Sequence, residues 1–325
     1  MIRPPNLSPN VRGALYGLAA FAAFSTHDVF VKELGATYSP FQIVFFSALM
    51  SFPLISLVLI GNDRPGTLRP VHPWWVALRS LCAAVTATSA FYAFSQLPLS
   101  QVYAFIFAAP LLITVLAIPM LGETVRLRRG LAVLAGFVGV LIVLNPGATP
   151  LSPGHLAALA AAFAGAMNAI IVRKIGNEER GVVMVLYPML TNLGFTAAAL
   201  PFVYVDVPLE HLGMFAVTSA LGLLAMGFLV LAYKHGQALV VAPMQYSQIV
   251  WATFYGILLF QEYPDRLTII GTAVIVVSGV FILRREATGD VSRNTPVLSS
   301  RTRIGQAIGL RVGNFLDRDR DRPDA

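Results

Sequence analysis

The strongest constraint in this sequence is its series of long apolar stretches, each of bilayer-spanning length and almost free of ionisable residues. A helix needs about 20 predominantly apolar residues to cross the hydrocarbon, and Pro, Gly and charged residues mark where such stretches stop. On that rule ten spans run approximately over 13–34, 40–60, 74–95, 100–121, 128–145, 155–174, 182–203, 213–233, 241–260 and 267–283. Their links, such as SQLPLS, GNEERG and KHGQ, are short, which makes consecutive helices neighbours. Charged residues form 12% of the chain, against about 25% in soluble domains, and many of them lie in 284–325. Too few remain to cover a soluble globule of 325 residues. The sequence predicts an all-α membrane protein of ten transmembrane helices.

The distribution of Lys and Arg orients the spans. With the N-terminus in the cytoplasm, cytoplasmic ends carry Arg3, Arg12, Arg64, Arg69, Arg126, Arg128, Arg129, Arg173, Lys174, Arg180, Lys234, Arg284 and Arg285. The opposite side carries only Lys32 and Arg266, as the positive-inside rule requires. The net charge of +7 thus reflects topology and needs no nucleic-acid partner. Trp74 and Trp75 open the third span where an interfacial aromatic belt belongs. The polar N-terminus with no convincing cleavage site makes the first span a retained helix rather than a signal peptide. The Ala/Arg/Gly-rich composition suggests a bacterial inner membrane.

Internal repetition divides the chain. AFAAFSTHDVFVK (20–32) aligns with AFAGAMNAIIVRK (162–174) at a shift of 142. IPMLGE (118–123) aligns with ILLFQE (257–262) at 139, and GVLIV (139–143) with GVFIL (279–283) at 140. Three matches in order at nearly one shift indicate a repeat of five helices. An odd number of crossings makes the second copy enter from the opposite side, so the expectation is two inverted five-helix repeats, an architecture of alternating-access transporters. The expected organisation is a cytoplasmic segment 1–11, a first repeat 12–147, a second 148–285 and a cytoplasmic tail 286–325. Within the tail, 301–316 reads as an amphipathic helix for an anionic leaflet or as a disordered stretch.

The stretch FYAFSQLPLSQVYAFIFAAPLLITVLAIPMLGETVRLRRGLAVLAGFVGVLIVLNPG (91–147), with its second copy in 242–286, resembles the EamA family of the drug/metabolite transporter superfamily. The resemblance covers nearly all of 12–285. In the second copy LGE is replaced by Phe260-Gln261-Glu262, retaining only the carboxylate. The resemblance implies ten helices, both termini cytoplasmic, and a central cavity walled by both halves. Members of that family move varied solutes, among them amino acids, vitamins, S-adenosylmethionine and nucleoside-like compounds.

An ionisable group within the bilayer costs about 2.5–3.5 kcal/mol on insertion scales, so each needs a reason. Asp28 reads either as a proton, cation or substrate-amine site, or as the i,i+4 partner of Lys32. His27 projects about 100° away from it around the helix, so the two should not face one cavity squarely. Arg79 reads either as a clamp for a carboxylate or phosphate or as a side chain snorkelling to the cytoplasmic face.

The ninth span places Met244, Gln248, Trp251 and Tyr255 in one stripe with Gln245 a turn from Gln248, a polar and aromatic face suited to a planar or zwitterionic metabolite. Its counterpart, the fourth span, offers Tyr103, Phe107 and Pro110, the last able to leave a backbone carbonyl unpaired. Asn168 is the repeat counterpart of Thr26, and either lines the cavity or bonds between helices. Glu123 and Glu262 hold matching positions before the fifth and tenth spans. They read as carboxylates placed for helix dipoles, not as binding residues.

The expected function is a multipass carrier of a small polar organic metabolite working by alternating access, with protons as candidate coupling ions at Asp28. The rivals are a membrane-embedded enzyme, a receptor and a channel, the last told apart because carriers saturate and show exchange. An enzyme needs convergent acid–base, nucleophilic or metal-binding groups, and the chain has one cysteine, Cys82, and five scattered histidines. No catalytic residue, metal site or cofactor is expected.

Overall fold

The computed structural model describes residues 8–60, 68–122, 127–146, 151–176 and 178–287. Arg64, Glu123, Arg126 and the 301–316 stretch lie outside them. The described chain is helical: α1 (Pro9–Leu34), α2 (Pro40–Ile60), α3 (Pro73–Gln96), α4 (Leu99–Ile106), α5 (Ala109–Leu121), α6 (Leu127–Leu144), α7 (Pro153–Ile175), α8 (Gly181–Val203), α9 (Leu209–His235), α10 (Ala238–Val241), α11 (Ser247–Phe260) and α12 (Arg266–Ala287). A 3-10 segment, Ala242–Tyr246, joins α10 to α11. Each expected span is present, but the fourth is divided into α4 and α5, and the ninth into α10, the 3-10 segment and α11. Among the described residues, six stretches are long and apolar enough to cross a membrane by length and composition alone.

Local chemistry explains the boundaries. Pro9, Pro40, Pro73 and Pro153 each open a helix, where the missing N–H is not needed and the fixed φ already suits the turn. Ser8, Ser39 and Ser152 supply side-chain oxygens to the first turns that follow Pro9, Pro40 and Pro153. α5 ends on Gly122 in the left-handed conformation, at φ 67°. α11 ends on Gln261 at φ 55°, also left-handed. These residues are related by the 139-residue shift, so more than the carboxylate survives the change from LGE to FQE. The left-handed turn survives too, on a residue with a Cβ that disfavours it.

The helix packing exchanges under the same shift. α1 packs on α9 and α3 on α7, while α2 meets α8, α4 meets α11 and α6 meets α12. Each pairing joins the two halves. Two seams run backbone to backbone. A Cβ on Gly13 would lie 2.4 Å from Gly236 Cα, and one on Gly271 would lie 2.6 Å from Gly139 O. Small residues at such contacts are how helices approach closely in lipid. Outward faces stay apolar: Leu131, Leu134, Val138 and Leu141 form one exposed stripe on α6. A surface of that kind suits hydrocarbon rather than water.

Candidate functional site

The two interrupted helices meet. α4 ends at Phe107, and Pro110 in the first turn of α5 cannot donate to the carbonyl four residues back. In the other half the interruption is the 3-10 segment ending at Tyr246. The Phe107 and Tyr246 rings stand edge to face with centroids 5.1 Å apart. One broken helix from each half is the arrangement in which transporters place binding sites.

Beside this junction lies a buried polar cluster centred on Tyr103. Its hydroxyl donates to Asp28 Oδ2 and accepts from Gln248 Nε2 at 3.3 Å. Ser25 Oγ lies 3.5 Å away and must be the donor, since the phenol has one proton. His27 Nδ1 meets Asp28 Oδ1 at 2.7 Å, and an ionised carboxylate there requires the proton on Nδ1. Tyr103, Asp28, Gln248 and His27 are all buried. Phe94 and Phe107 flank the Tyr103 ring, with centroids 5.7 Å and 5.8 Å away, and Phe91 lies 5.9 Å from the His27 ring. A second bridge runs close by: Thr26 Oγ1 donates to Ala22 O, which leaves Tyr255 OH to donate to Thr26 at 2.9 Å. The cluster draws on α1 and α4 of one half and α11 of the other.

Two readings of the sequence are corrected here. His27 does leave the backbone in another direction from Asp28, but its ring folds back onto the carboxylate, so adjacent residues share one network. Lys32 is not the partner of Asp28. Its Nζ lies 2.8 Å from Glu262 Oε1 and donates to Phe94 O at 3.2 Å and Leu97 O at 2.8 Å. Glu262 Oε2 accepts the Leu99 N–H at 3.1 Å. Glu262 therefore ties the α11–α12 joint to the α3–α4 joint, a role beyond its nearness to a helix start.

The remaining candidates are placed as follows. Pro110 and Phe107 are buried at the junction. Gln245 is partly buried in the 3-10 segment, and Trp251 is partly buried on α11, a turn beyond Gln248. Arg79 and Asn168 are buried on α3 and α7. Arg79 does not snorkel: it is 1% exposed. Sequence reasoning did not single out Ser25, Phe94 or Tyr246. For Tyr246 a signal existed, because the 139-residue shift pairs it with Phe107.

Comparison with known proteins agrees with this architecture. The EamA-like transporter family matches residues 11–145 and 152–284, two copies in one chain. An S-adenosylmethionine uptake transporter of Rickettsia bellii (strain RML369-C) is 27% identical over 269 residues, covering 83% of this chain and 92% of that protein. The pseudopaline exporter CntI of Pseudomonas aeruginosa (strain UCBPP-PA14) is 27% identical over 281 residues, covering 84% of this chain and 96% of its own length. A crystal structure sharing 19% identity superposes with a TM-score of 0.57 over 85% of this chain and 99% of its own, a likeness of fold.

Proposed function

This chain belongs to the EamA-like transporter family, a multipass membrane transporter, and from that premise we propose that it carries a small polar organic metabolite by alternating access. The observation behind the proposal is the Asp28–Tyr103–Gln248 cluster, where a carboxylate, a phenol and an amide from both halves converge beside two interrupted helices. A buried ionisable residue in a span is costly and marks a pathway by default. The halves are read as repeats 12–147 and 148–285 of inverted topology, with both termini at the cytoplasmic side of a bacterial inner membrane. Exchange of contacts between the pseudo-symmetric helix pairs supports that reading.

In this account Asp28 is the polar centre that a substrate amine or a coupling proton engages. Tyr103 and Gln248 position its carboxylate, and His27 holds the other oxygen. Phe107, Pro110, Gln245 and Trp251 form walls that part when the broken helices shift. The relatives named above handle S-adenosylmethionine and pseudopaline, which supports a metabolite of that size as cargo.

The test is reconstitution of the full chain in liposomes. Labelled S-adenosylmethionine, amino acids, riboflavin, nucleosides and short organic acids are offered one at a time. Saturable accumulation of one of them is the expected result, with Asp28→Asn removing its dependence on a pH gradient while the protein still folds. A flux unchanged by Asp28→Asn across a pH series takes Asp28 out of the mechanism.

A further inference from the structure

Arg79 is the anomaly of this molecule. It lies six residues into α3 and is 1% exposed, and its Nε and Nη1 are buried without a hydrogen-bond partner. Among the described residues it makes no ion pair. A guanidinium in that position bears the cost of desolvation without an ion pair to offset it. On α3 itself the neighbouring buried positions include the apolar Val76, Ala83, Ala84 and Ala87, together with Ser80, whose hydroxyl donates to Val76 O rather than serving the guanidinium.

The surroundings repeat the pattern. α3 packs against α7 and α8, and each contributes a buried amide, Asn168 and Asn192, whose Oδ1 has no partner. Val76, one turn before Arg79, packs with Ile171, and Met167 borders the same cluster. That contact sets Arg79 and Asn168 at one level of the bundle. Arg79 and Asn168 thus present unpaired polar atoms at one depth of adjoining helices.

We infer that Arg79, with Asn168 at the same level of the adjoining helix, is the recognition site for a carboxylate on the cargo. The inference rests on the carrier reading and deepens it by naming the substrate class: a metabolite bearing one carboxylate. Charge balance selects the group. The buried carboxylate beside the start of α3, Glu179, accepts from the His72 N–H and, among the described residues, makes no ion pair with Arg79. The cation is therefore neutralised by an added monoanion, whereas a phosphate dianion leaves a buried charge uncompensated. The planar guanidinium also matches carboxylate geometry.

This site is distinct from the Asp28 cluster. The His27 ring meets Phe91, and Phe91 is twelve residues beyond Arg79 on α3, about 18 Å along a helix axis. An amino acid, with its ammonium and carboxylate on one carbon, cannot reach both ends at once. The two poles act in succession along the path, Arg79 holding the acid group toward the end of the bundle where α3 begins.

The test uses the full chain in detergent, with S-adenosylmethionine and its decarboxylated analogue as probes. Without ligand, Arg79→Met is expected to melt at or above the wild type, because it removes an uncompensated charge. The wild type is expected to bind the carboxylated probe at least about tenfold more tightly, the scale of a hydrogen-bonded charge, and Arg79→Met is expected to bind both probes equally. Arg79→Lys retains part of the preference. A melting temperature of Arg79→Met far below wild type assigns Arg79 to the architecture and overturns the proposal. So does a wild type indifferent to the carboxylate, or a preference that survives in Arg79→Met. Liposome flux separates the two readings. Carboxylate-selective binding without transport sinks the carrier reading alone, and transport without Arg79-dependent selectivity sinks this one alone.

Discussion

Lys32 and Arg79 are two cations among helices of the same half, the first partly buried and the second fully, and they are treated in opposite ways. Lys32 has a carboxylate at 2.8 Å, two backbone carbonyls and the face of Phe260 at 5.2 Å. Its partners join α1, the α3–α4 joint and the α11–α12 joint, so a single ammonium ties the two halves together at that end. Arg79 has Nε and Nη1 unmet. The fold gives the first charge a full set of partners and gives two nitrogens of the second none among the described residues. That difference separates a contact that maintains one state of the protein from the site proposed above for the cargo's carboxylate.

The largest expected effect comes from breaking the satisfied cation. Glu262→Gln removes the ionic partner of Lys32 and should cost up to about 3 kcal/mol, the upper scale of a hydrogen bond to a charged group, since the pair is partly exposed. Thermal unfolding of the full chain measures it, and adding Lys32→Met should recover part of the loss. If the double variant is no better than the single, the pair is not coupled and the contrast with Arg79 fails.

Next in size is the glycine seam that also joins the halves. Gly13→Ala puts a methyl into the backbone of Gly236 and should cost about 1–3 kcal/mol by overpacking. Gly194→Ala, with open space around its Cβ, should cost nothing. Equal melting temperatures for the two variants would contradict the close approach of α1 and α9.

Tyr103→Phe sharpens the comparison from the side of the polar cluster. It deletes the donor to Asp28 and the acceptor for Gln248 and should cost about 1.5–3 kcal/mol in whatever Asp28 holds. The expected readout is weaker substrate binding or lost proton dependence in liposomes. Retained affinity and an unchanged pH profile place the working site elsewhere. The smallest effect belongs to Gln261→Gly, which relieves a left-handed Cβ and should stabilise by about 1 kcal/mol. A lower melting temperature would mean that the Gln261 side chain itself holds the joint.

The spans were legible because each is a local pattern of apolar residues bounded by Pro, Gly and charge. The division of the fourth and ninth spans was only half legible. Pro110 reads as freeing a carbonyl, while APMQY reads within one continuous ninth span, and the break in the fourth falls at Phe107–Ala108, where backbone bonding changes rather than where a proline sits. Tyr103, Asp28, His27 and Gln248 were each read as site residues from type and depth. Their meeting in one network was not readable, since no helical period reports which helix faces another across two halves. Lys32 shows the limit most clearly. Spacing offered Asp28 four residues away, and the fold chose Glu262, which is 230 positions distant and supplied by the other repeat. Arg79 was judged by depth alone, and packing of α3 into α7 and α8 turned that depth into full burial.

Counterflow tests the central claim most directly. Liposomes holding the full chain are loaded with an unlabelled solute of the panel and diluted into its labelled form. An alternating-access carrier predicts transient accumulation of label above equilibrium, saturating with external concentration and lost in Asp28→Asn. Label that merely equilibrates, at a rate linear in concentration and indifferent to the internal solute, would contradict it.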